Sequence, residues 1–161
     1  MLVHGSKWDW RFMRLAQTVA AWSKDPSTQV GAVLVDPTTK ASDHGYNGFP
    51  VGISDDSRLH DRETKYRIII HAELNVLLRA GPSARGKTMY VWPFQPCAHC
   101  AAVMVQCGVA RMVSLEPDGE RAARWAKDFA LSEEILREGG VAINFLNPGD
   151  EEAWKSAANS N

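Results

Sequence analysis

Two short groups of metal-binding side chains, well separated along the chain, constrain what this sequence can fold into. The first is His71-Ala72-Glu73 and the second is Pro96-Cys97-Ala98-His99-Cys100. One imidazole and two thiolates are ligands that zinc takes in proteins, and three protein ligands leave the fourth tetrahedral position open for water. The fold must therefore bring His71 against Cys97 and Cys100.

Both groups stand where the sequence predicts the start of a helix. A helix is predicted over 68–79, with His71 near its first turn, and another over 97–107. Pro96 suits the beginning of the second helix, because a missing N–H costs nothing there. The partial positive charge of a helix N-terminus lowers thiol pKa values. Cysteines three residues apart also face the same side of the first turn, so Cys97 and Cys100 can share one ion.

Glu73 distinguishes two interpretations of such a site. Zinc lowers the pKa of a bound water, and a carboxylate two residues from His71 could transfer protons to and from that water. The competing interpretation is a closed structural zinc site in which His99 is the fourth ligand. A C-x-x-C pair alone is equally typical of structural zinc and redox centres. The intact Glu73 favours the catalytic interpretation.

The composition bounds the class of protein. A chain of 161 residues suits a single domain over 1–161, with a core over about 8–146 and a polar tail over 147–161. We find neither a membrane-spanning apolar run nor a signal peptide, so we expect no membrane partner and a cytoplasmic location. A net charge of −1 argues against a nucleic-acid partner. A mononucleotide needs only a local cluster of donors.

Hydrophobic periodicity predicts an α/β fold. Gly and Pro punctuate the segment 47–52, and we expect an irregular loop from there to about 65. Strand 88–92 lies between the two helices of the metal groups. The other predicted elements are a helix over 8–23, strands over 29–35 and 41–46, a strand over 110–115, a helix over 120–138 and a strand over 141–145. This order predicts a mixed sheet with helices on both faces.

Five segments resemble the deoxycytidylate (dCMP) deaminases of the cytidine deaminase-like superfamily, and the resemblance spans roughly residues 8–145. The metal motif H-x-E with P-C-x-x-C is shared by zinc-dependent nucleobase deaminases generally. The S-K-D-P-S-T-x-V-G and G-Y-N-G-F-P segments narrow the resemblance to the dCMP enzymes. The segments lie at 22–32, 45–50, 61–66, 71–75 and 96–100.

The resemblance implies a three-layer α-β-α sandwich around a five-stranded mixed sheet and a set of site residues. The metal ligands would be His71, Cys97 and Cys100 around one zinc ion, with Glu73 as proton shuttle. The implied substrate contacts are the backbone at Ala72 with the pyrimidine, Asn47 with the sugar, Ser23 and Lys24 on the phosphate side, and Asn75.

These substrate contacts have simpler alternatives. Lys24 could be a solvated helix end, and Asn47 a turn residue before Gly48. Asn75 could reach substrate or brace the loop, and the sequence does not separate these. Pro82 stands where many relatives have a basic residue, and Arg79 and Arg85 are the nearby cations that could compensate.

The resemblance also implies the reaction. It would be hydrolysis of dCMP to dUMP and ammonia, which supplies dUMP for dTMP synthesis. Relatives are often homo-oligomers, commonly hexamers, that dCTP activates and dTTP inhibits, and Mg2+ would accompany such effectors. The turn Trp92-Pro93-Phe94-Gln95-Pro96 is one residue longer than the common form, so a C5-modified dCMP or another cytosine nucleotide is the alternative substrate. The charge balance disfavours a tRNA or single-stranded DNA deaminase.

Overall fold

The computed structural model describes residues 1–159, apart from the side chains of 151 and 157–159. The strands are β1 (Leu2–Val3), β2 (Gly31–Val35), β3 (Ser42–Tyr46), β4 (Thr88–Trp92), β5 (Arg111–Leu115) and β6 (Ala142–Leu146). The α-helices are α1 (Lys7–Ala20), α2 (Arg62–Ile68), α3 (Ala72–Ala80), α4 (Ala98–Gln106), α5 (Gly119–Glu138) and α6 (Glu151–Asn159). Short 3-10 turns occupy Ser57–Leu59 and Gly81–Ala84.

The strands form one mixed sheet in the order β1-β6-β5-β4-β2-β3. β2 is antiparallel to both of its neighbours, β3 and β4, whereas β4, β5, β6 and β1 run parallel. All five residues of β2 are buried, which explains its almost continuous apolar sequence. The helix α4 connects the parallel neighbours β4 and β5, whereas α3 lies between β3 and β4 in the chain.

Helices cover both faces of the sheet, as the predicted α/β sandwich requires. Alternate residues of β2 divide between two cores: Ala32 and Leu34 pack with α3, α4 and α5, while Val33 and Val35 pack with α1. Trp10 of α1 also makes an edge-on contact with Trp154 of α6 at 5.4 Å between ring centroids. The predicted mixed sheet between helical layers is confirmed.

The sheet has six strands, and the expectation of five was wrong by one. The additional strand is β1, whose residues Leu2 and Val3 pair in parallel with Phe145 and Leu146. A strand of two residues has too few positions to show alternation, so the sequence pattern does not reveal it. The sheet therefore includes residues that precede α1 in the chain.

The segment predicted as a loop over 47–65 contains structure. It includes the turn Ser57–Leu59 and most of α2, and the chain then runs extended through Ile69 and Ile70 before α3 begins. The helix predicted over 68–79 is therefore shorter than expected: it begins at Ala72 as α3, and residues 69–71 form an extended link from the end of α2. Only one of the seven residues of α2 is buried, and it is Lys65, so no apolar period marks this helix.

The polar C-terminal tail contains the helix α6. The helix α6 packs on α1, where the Arg14 guanidinium donates a hydrogen bond to the Trp154 carbonyl at 3.0 Å. Residues 160–161, the end of the predicted tail, lie outside the described residues. Within residues 1–159, no helix combines the length and apolar character needed to cross a membrane.

Candidate active site

The three predicted metal ligands converge between the starts of α3 and α4. His71 and Cys97 are the capping residues that precede these helices, and both have extended backbone. The Nδ1 atom of His71 lies 3.5 Å from the Cys97 sulfur and 3.3 Å from the Cys100 sulfur. All three donor atoms lie within 4.8 Å of one another. The two sequence groups therefore form one site.

This donor set fits zinc. With Zn–N and Zn–S bonds of about 2.0 and 2.3 Å, a tetrahedral ion separates a nitrogen from a sulfur ligand by about 3.5 Å. The nitrogen–sulfur distances of 3.3 and 3.5 Å match that separation. His99 is exposed and does not belong to the cluster. The site thus holds three protein ligands in the described structure, as a catalytic zinc centre would.

The two thiols of the cluster differ in pKa. A hydrogen bond from the Cys100 thiol, assisted by His71 and by the Cys100 backbone N–H that donates to the Cys97 sulfur at 3.4 Å, lowers the pKa of the Cys97 thiol to about 4. The resulting thiolate raises the pKa of Cys100 and, by pairing with the imidazole, raises the pKa of His71 to about 9. A bound cation would displace protons from both Cys100 and His71, so metal uptake releases protons.

Glu73 lies on the first turn of α3 beside this cluster. Its side chain is only 3% exposed. Burial raises the pKa of the Glu73 carboxyl to about 7, although the neighbouring His71 opposes the shift. A carboxyl group with a pKa near 7 can both accept and donate a proton at neutral pH, which is the property required of an acid/base shuttle.

The turn that carries the cysteines is held in place by α5. Gln95 donates from its amide to the Phe129 carbonyl at 3.1 Å, and the Ser132 hydroxyl donates to the Pro96 carbonyl at 2.7 Å. The Ala98 N–H donates to the Asp128 carboxylate at 3.2 Å, which satisfies a free N–H at the start of α4. These three bonds position the metal turn against one face of α5.

The metal cluster and Glu73 lie in a cavity of about 490 Å³. This volume suits a small ligand such as a mononucleotide. Most of its lining comes from the 25–30 segment, α2, the first turn of α3, the 93–97 turn and the N-terminal half of α5. The lining includes Ala72, Phe94, Gln95 and Phe129. Besides Glu73 and the metal ligands, its acidic and basic residues are Asp25, His60, Arg62, Lys65, Asp118, Glu120, Arg121, Arg124 and Asp128.

The predicted substrate residues divide into two groups. Asn47 and Ala72 line the cavity, whereas Ser23, Lys24 and Asn75 do not. Asn75 donates its amide to the Tyr46 carbonyl at 2.8 Å, which is the bracing alternative that the sequence left open. Lys24 extends into solvent and pairs with Asp55 at 2.8 Å.

Asn47 is part of a buried network at the cavity wall. Its carbonyl oxygen accepts from the Val30 N–H at 2.8 Å, and its amide donates to the Thr28 carbonyl at 2.9 Å. The Ser23 hydroxyl donates to the Asn47 carbonyl at 2.8 Å, so Ser23 braces the backbone of this wall. A sugar contact by Asn47 and phosphate contacts by Ser23 and Lys24 remain predictions. Arg79 and Arg85 likewise do not line the cavity.

Sequence reasoning missed the contribution of α5. Arg121, Arg124 and Trp125 line the cavity together with Asp128 and Phe129. These residues recur at intervals of three and four, so they share one face of the helix. That face combines two arginines with two aromatic rings, a pattern visible in the sequence. Only the packing of α5 beside the metal turn distinguishes it from an ordinary solvated face.

Comparison with known proteins finds similarity to deaminases in both a family model and individual relatives. Residues 6–116 match the model of the "Cytidine and deoxycytidylate deaminase zinc-binding region". An uncharacterized deaminase of Aliivibrio fischeri is 38% identical over 88% of this chain and 95% of its own length. A deoxycytidylate deaminase of Pongo abelii is 37% identical over 77% of this chain and 76% of its own length.

A solved structure shares the fold. The dCMP deaminase of cyanophage S-TIM5, crystallised with dCMP and dUMP, superposes with a TM-score of 0.70 at 22% identity, covering 88% of this chain and 98% of that one. The family model spans most of the chain and includes every residue of the metal cluster and Glu73. The chain therefore belongs to the cytidine and deoxycytidylate deaminases, a family of hydrolytic enzymes.

Proposed function

We propose that this protein catalyses the zinc-dependent hydrolysis of dCMP to dUMP and ammonia. The observation that carries the proposal is the buried Glu73 beside the His71, Cys97 and Cys100 cluster, inside a cavity of about 490 Å³. Similarity to relatives named deoxycytidylate deaminase supports dCMP as the substrate. One of them is 37% identical over 77% of this chain.

The residues of the site suit the proton transfers of this reaction. His71, Cys97 and Cys100 would hold zinc, which when bound supplies a Lewis acid that makes water a nucleophile near neutral pH. Glu73 accepts the proton of the attacking water as a C4–O bond forms. It donates that proton to the ring N3. It then accepts the proton of the C4 hydroxyl and passes it to the amine, which leaves as ammonia as the C4–N bond breaks and the C4 carbonyl forms. Burial of Glu73 keeps its pKa close to the value that both transfers require.

The test replaces Glu73 with its uncharged isostere. We expect Glu73→Gln to bind zinc as the wild type does and to lose about 10²- to 10⁴-fold in kcat for dCMP, the usual contribution of a general acid/base. Glu63→Gln is the matched control, because Glu63 is an exposed carboxylate on α2 that does not line the cavity. Zinc content and ammonia release are measured on the same samples. Full activity in Glu73→Gln would refute the shuttle role.

The substrate panel separates the alternatives. Ammonia release is measured with dCMP, cytidine, deoxycytidine, dCTP and a C5-modified dCMP. Preference for the modified nucleotide would move the assignment to that substrate, and the Phe94 and Gln95 wall would be the first place to examine. Turnover of a tRNA or single-stranded DNA instead of any free nucleotide would contradict the proposal.

Four finer features belong to the same proposal. They are supply of dUMP for dTMP synthesis, activation by dCTP with inhibition by dTTP, a homo-oligomeric and commonly hexameric assembly, and a cytoplasmic location. Mg2+ would enter only as the counter-ion of a bound triphosphate effector. Addition of dCTP or dTTP to the dCMP assay tests the regulation, and analytical ultracentrifugation tests the assembly.

A further inference from the structure

We infer that Arg121 and Arg124 of α5, together with Arg62 of α2, which lines the same cavity, form the subsite for the nucleotide's 5′-phosphate. This inference rests on the proposed function, because it assigns the phosphate end of that same substrate. It moves the phosphate away from Ser23 and Lys24, to which the sequence assigned it. All three arginines line the cavity that holds the metal cluster.

The first argument is the state of the charges around the cavity. Lys65 is already neutralised, since its ammonium pairs with Asp25 at 3.0 Å and donates to the Ser27 hydroxyl at 3.1 Å. In the part of the chain that the structure describes, Arg62 and Arg124 have no carboxylate partner within ion-pair distance. Arg121 has only a loose contact of 3.6 Å with Asp118, and both side chains are exposed. These guanidinium groups are available to an incoming anion.

The second argument is the direction of α5. Asp128 contacts the metal turn, and Arg124 and Arg121 lie four and seven residues before it on the same helix face. At 1.5 Å per residue the two arginines are displaced by about 6 and 10 Å along the helix from the metal end. A mononucleotide with its base at the metal directs its phosphate away from the metal, along this stripe.

The third argument is that aromatic rings hold the guanidinium groups in place. Arg121 lies over the Phe94 ring at 5.3 Å and Arg62 lies over the Tyr66 ring at 5.2 Å. Stacking of this kind limits the rotamers of an arginine, so less entropy is lost when it binds an anion. The planar guanidinium then matches phosphate oxygens in a bidentate manner that lysine does not provide.

Charge at this end of the cavity suits a single phosphate. The carboxylates of Asp118 and Glu120 also line the cavity, on the first turn of α5. Three arginines and two carboxylates leave a formal charge of +1. That balance attracts a monophosphate, whereas a triphosphate or polynucleotide would place further negative charge beside the two carboxylates.

The test compares ligands that differ only in the phosphate. Zinc-loaded wild type, Arg121→Gln, Arg124→Gln and the double variant are assayed with dCMP and with deoxycytidine. Binding of dUMP and of deoxyuridine is measured in parallel by calorimetry, which needs no turnover. Lys127→Gln is the matched control, because it removes the same charge from an exposed position on α5 that does not line the cavity. Thermal unfolding checks that each variant is folded.

We expect each single variant to raise KM for dCMP and Kd for dUMP about 10-fold or more, the loss typical of one charge-assisted bond to an anion. Values for deoxycytidine and deoxyuridine should stay within about 2-fold, as should all values for Lys127→Gln. The inference would be overturned if an arginine variant bound deoxyuridine and dUMP with equally reduced affinity, or if its affinity for dUMP were unchanged. If the wild type deaminates no cytosine substrate, the proposed function fails, and the dUMP binding comparison still decides whether this subsite exists.

Discussion

The buried ion pair between Asp25 and Lys65 provides a quantitative test of how the cavity wall is held. Its Nζ–Oδ1 distance is 3.0 Å, and the side chains are only 6% and 4% exposed. Removing one partner of a buried pair leaves an uncompensated charge, which costs about 3–5 kcal/mol. We expect Lys65→Met to cost an amount at the lower end of this range. The Asp25 carboxylate that remains still accepts hydrogen bonds from N–H groups of Ser27, Thr28 and Asn47.

The reverse substitution should cost more. In Asp25→Asn, the Lys65 ammonium loses its charged partner and keeps the Ser27 hydroxyl and an amide oxygen. A loss of about 3 kcal/mol, the value expected for Lys65→Met, lowers the folding equilibrium constant roughly 150-fold and the Tm by about 6–12 °C for a chain of this size, and Asp25→Asn should exceed both changes. The double variant should lose less than the sum of the single variants, because neither charge is then left alone.

Urea unfolding at neutral pH measures these differences. The matched control is Lys24→Met, which breaks the pair with Asp55 at a lysine that is 72% exposed. We expect that variant to unfold at the same urea concentration as the wild type, because exposed ion pairs contribute little to stability. If Lys65→Met cost less than 1 kcal/mol, like an exposed pair, the buried ion pair would not be what fixes α2 to the cavity wall.

Two further predictions concern the core and the acid stability. A Cβ added at Gly31 would collide with the Ala16 carbonyl oxygen of α1, so Gly31→Ala should cost at least about 2 kcal/mol in urea unfolding. The unobstructed Gly119→Ala should cost less than about 1 kcal/mol, and equal losses would refute the close α1–β2 contact. Burial raises the pKa of Asp9, but hydrogen bonds from Arg111, the Ser6 N–H and Tyr90 outweigh it and hold that pKa below its usual value. The stability from Asp9 is therefore complete above the unfolded pKa of about 3.9 and is lost as the pH falls through the lower folded pKa. Asp9→Asn should be less stable than the wild type at pH 7, and urea unfolding at decreasing pH should show the gap closing only below about pH 4.

The sequence by itself determined the chemistry and most of the fold. Metal ligation depends on residue type, which is read directly from the sequence. Local signals such as Pro96 are enough to predict that a helix begins at each of the two metal-binding groups. The strands also follow from local pattern, because alternate residues must face two different cores. The two-residue β1 and the helix α2 were missed for the same reason: the first is too short for a pattern, and the second buries a lysine instead of apolar residues.

Only the tertiary structure decided how the substrate end of the site is built. Whether Lys24 or Arg124 reaches the cavity depends on how the segment after α1 and the helix α5 pack. Lys24 lies in a polar segment that follows α1, and Arg124 occupies an ordinary polar position of a helix, so neither is marked by its local sequence. The sequence identifies Asn47 only as a turn residue before Gly48. Its hydrogen bonds to Thr28 and Val30 join segments that are distant along the chain, so only the folded structure reveals them. Local propensity fixes which residues form a helix, whereas the packing of helices on the sheet fixes which of their faces line the cavity.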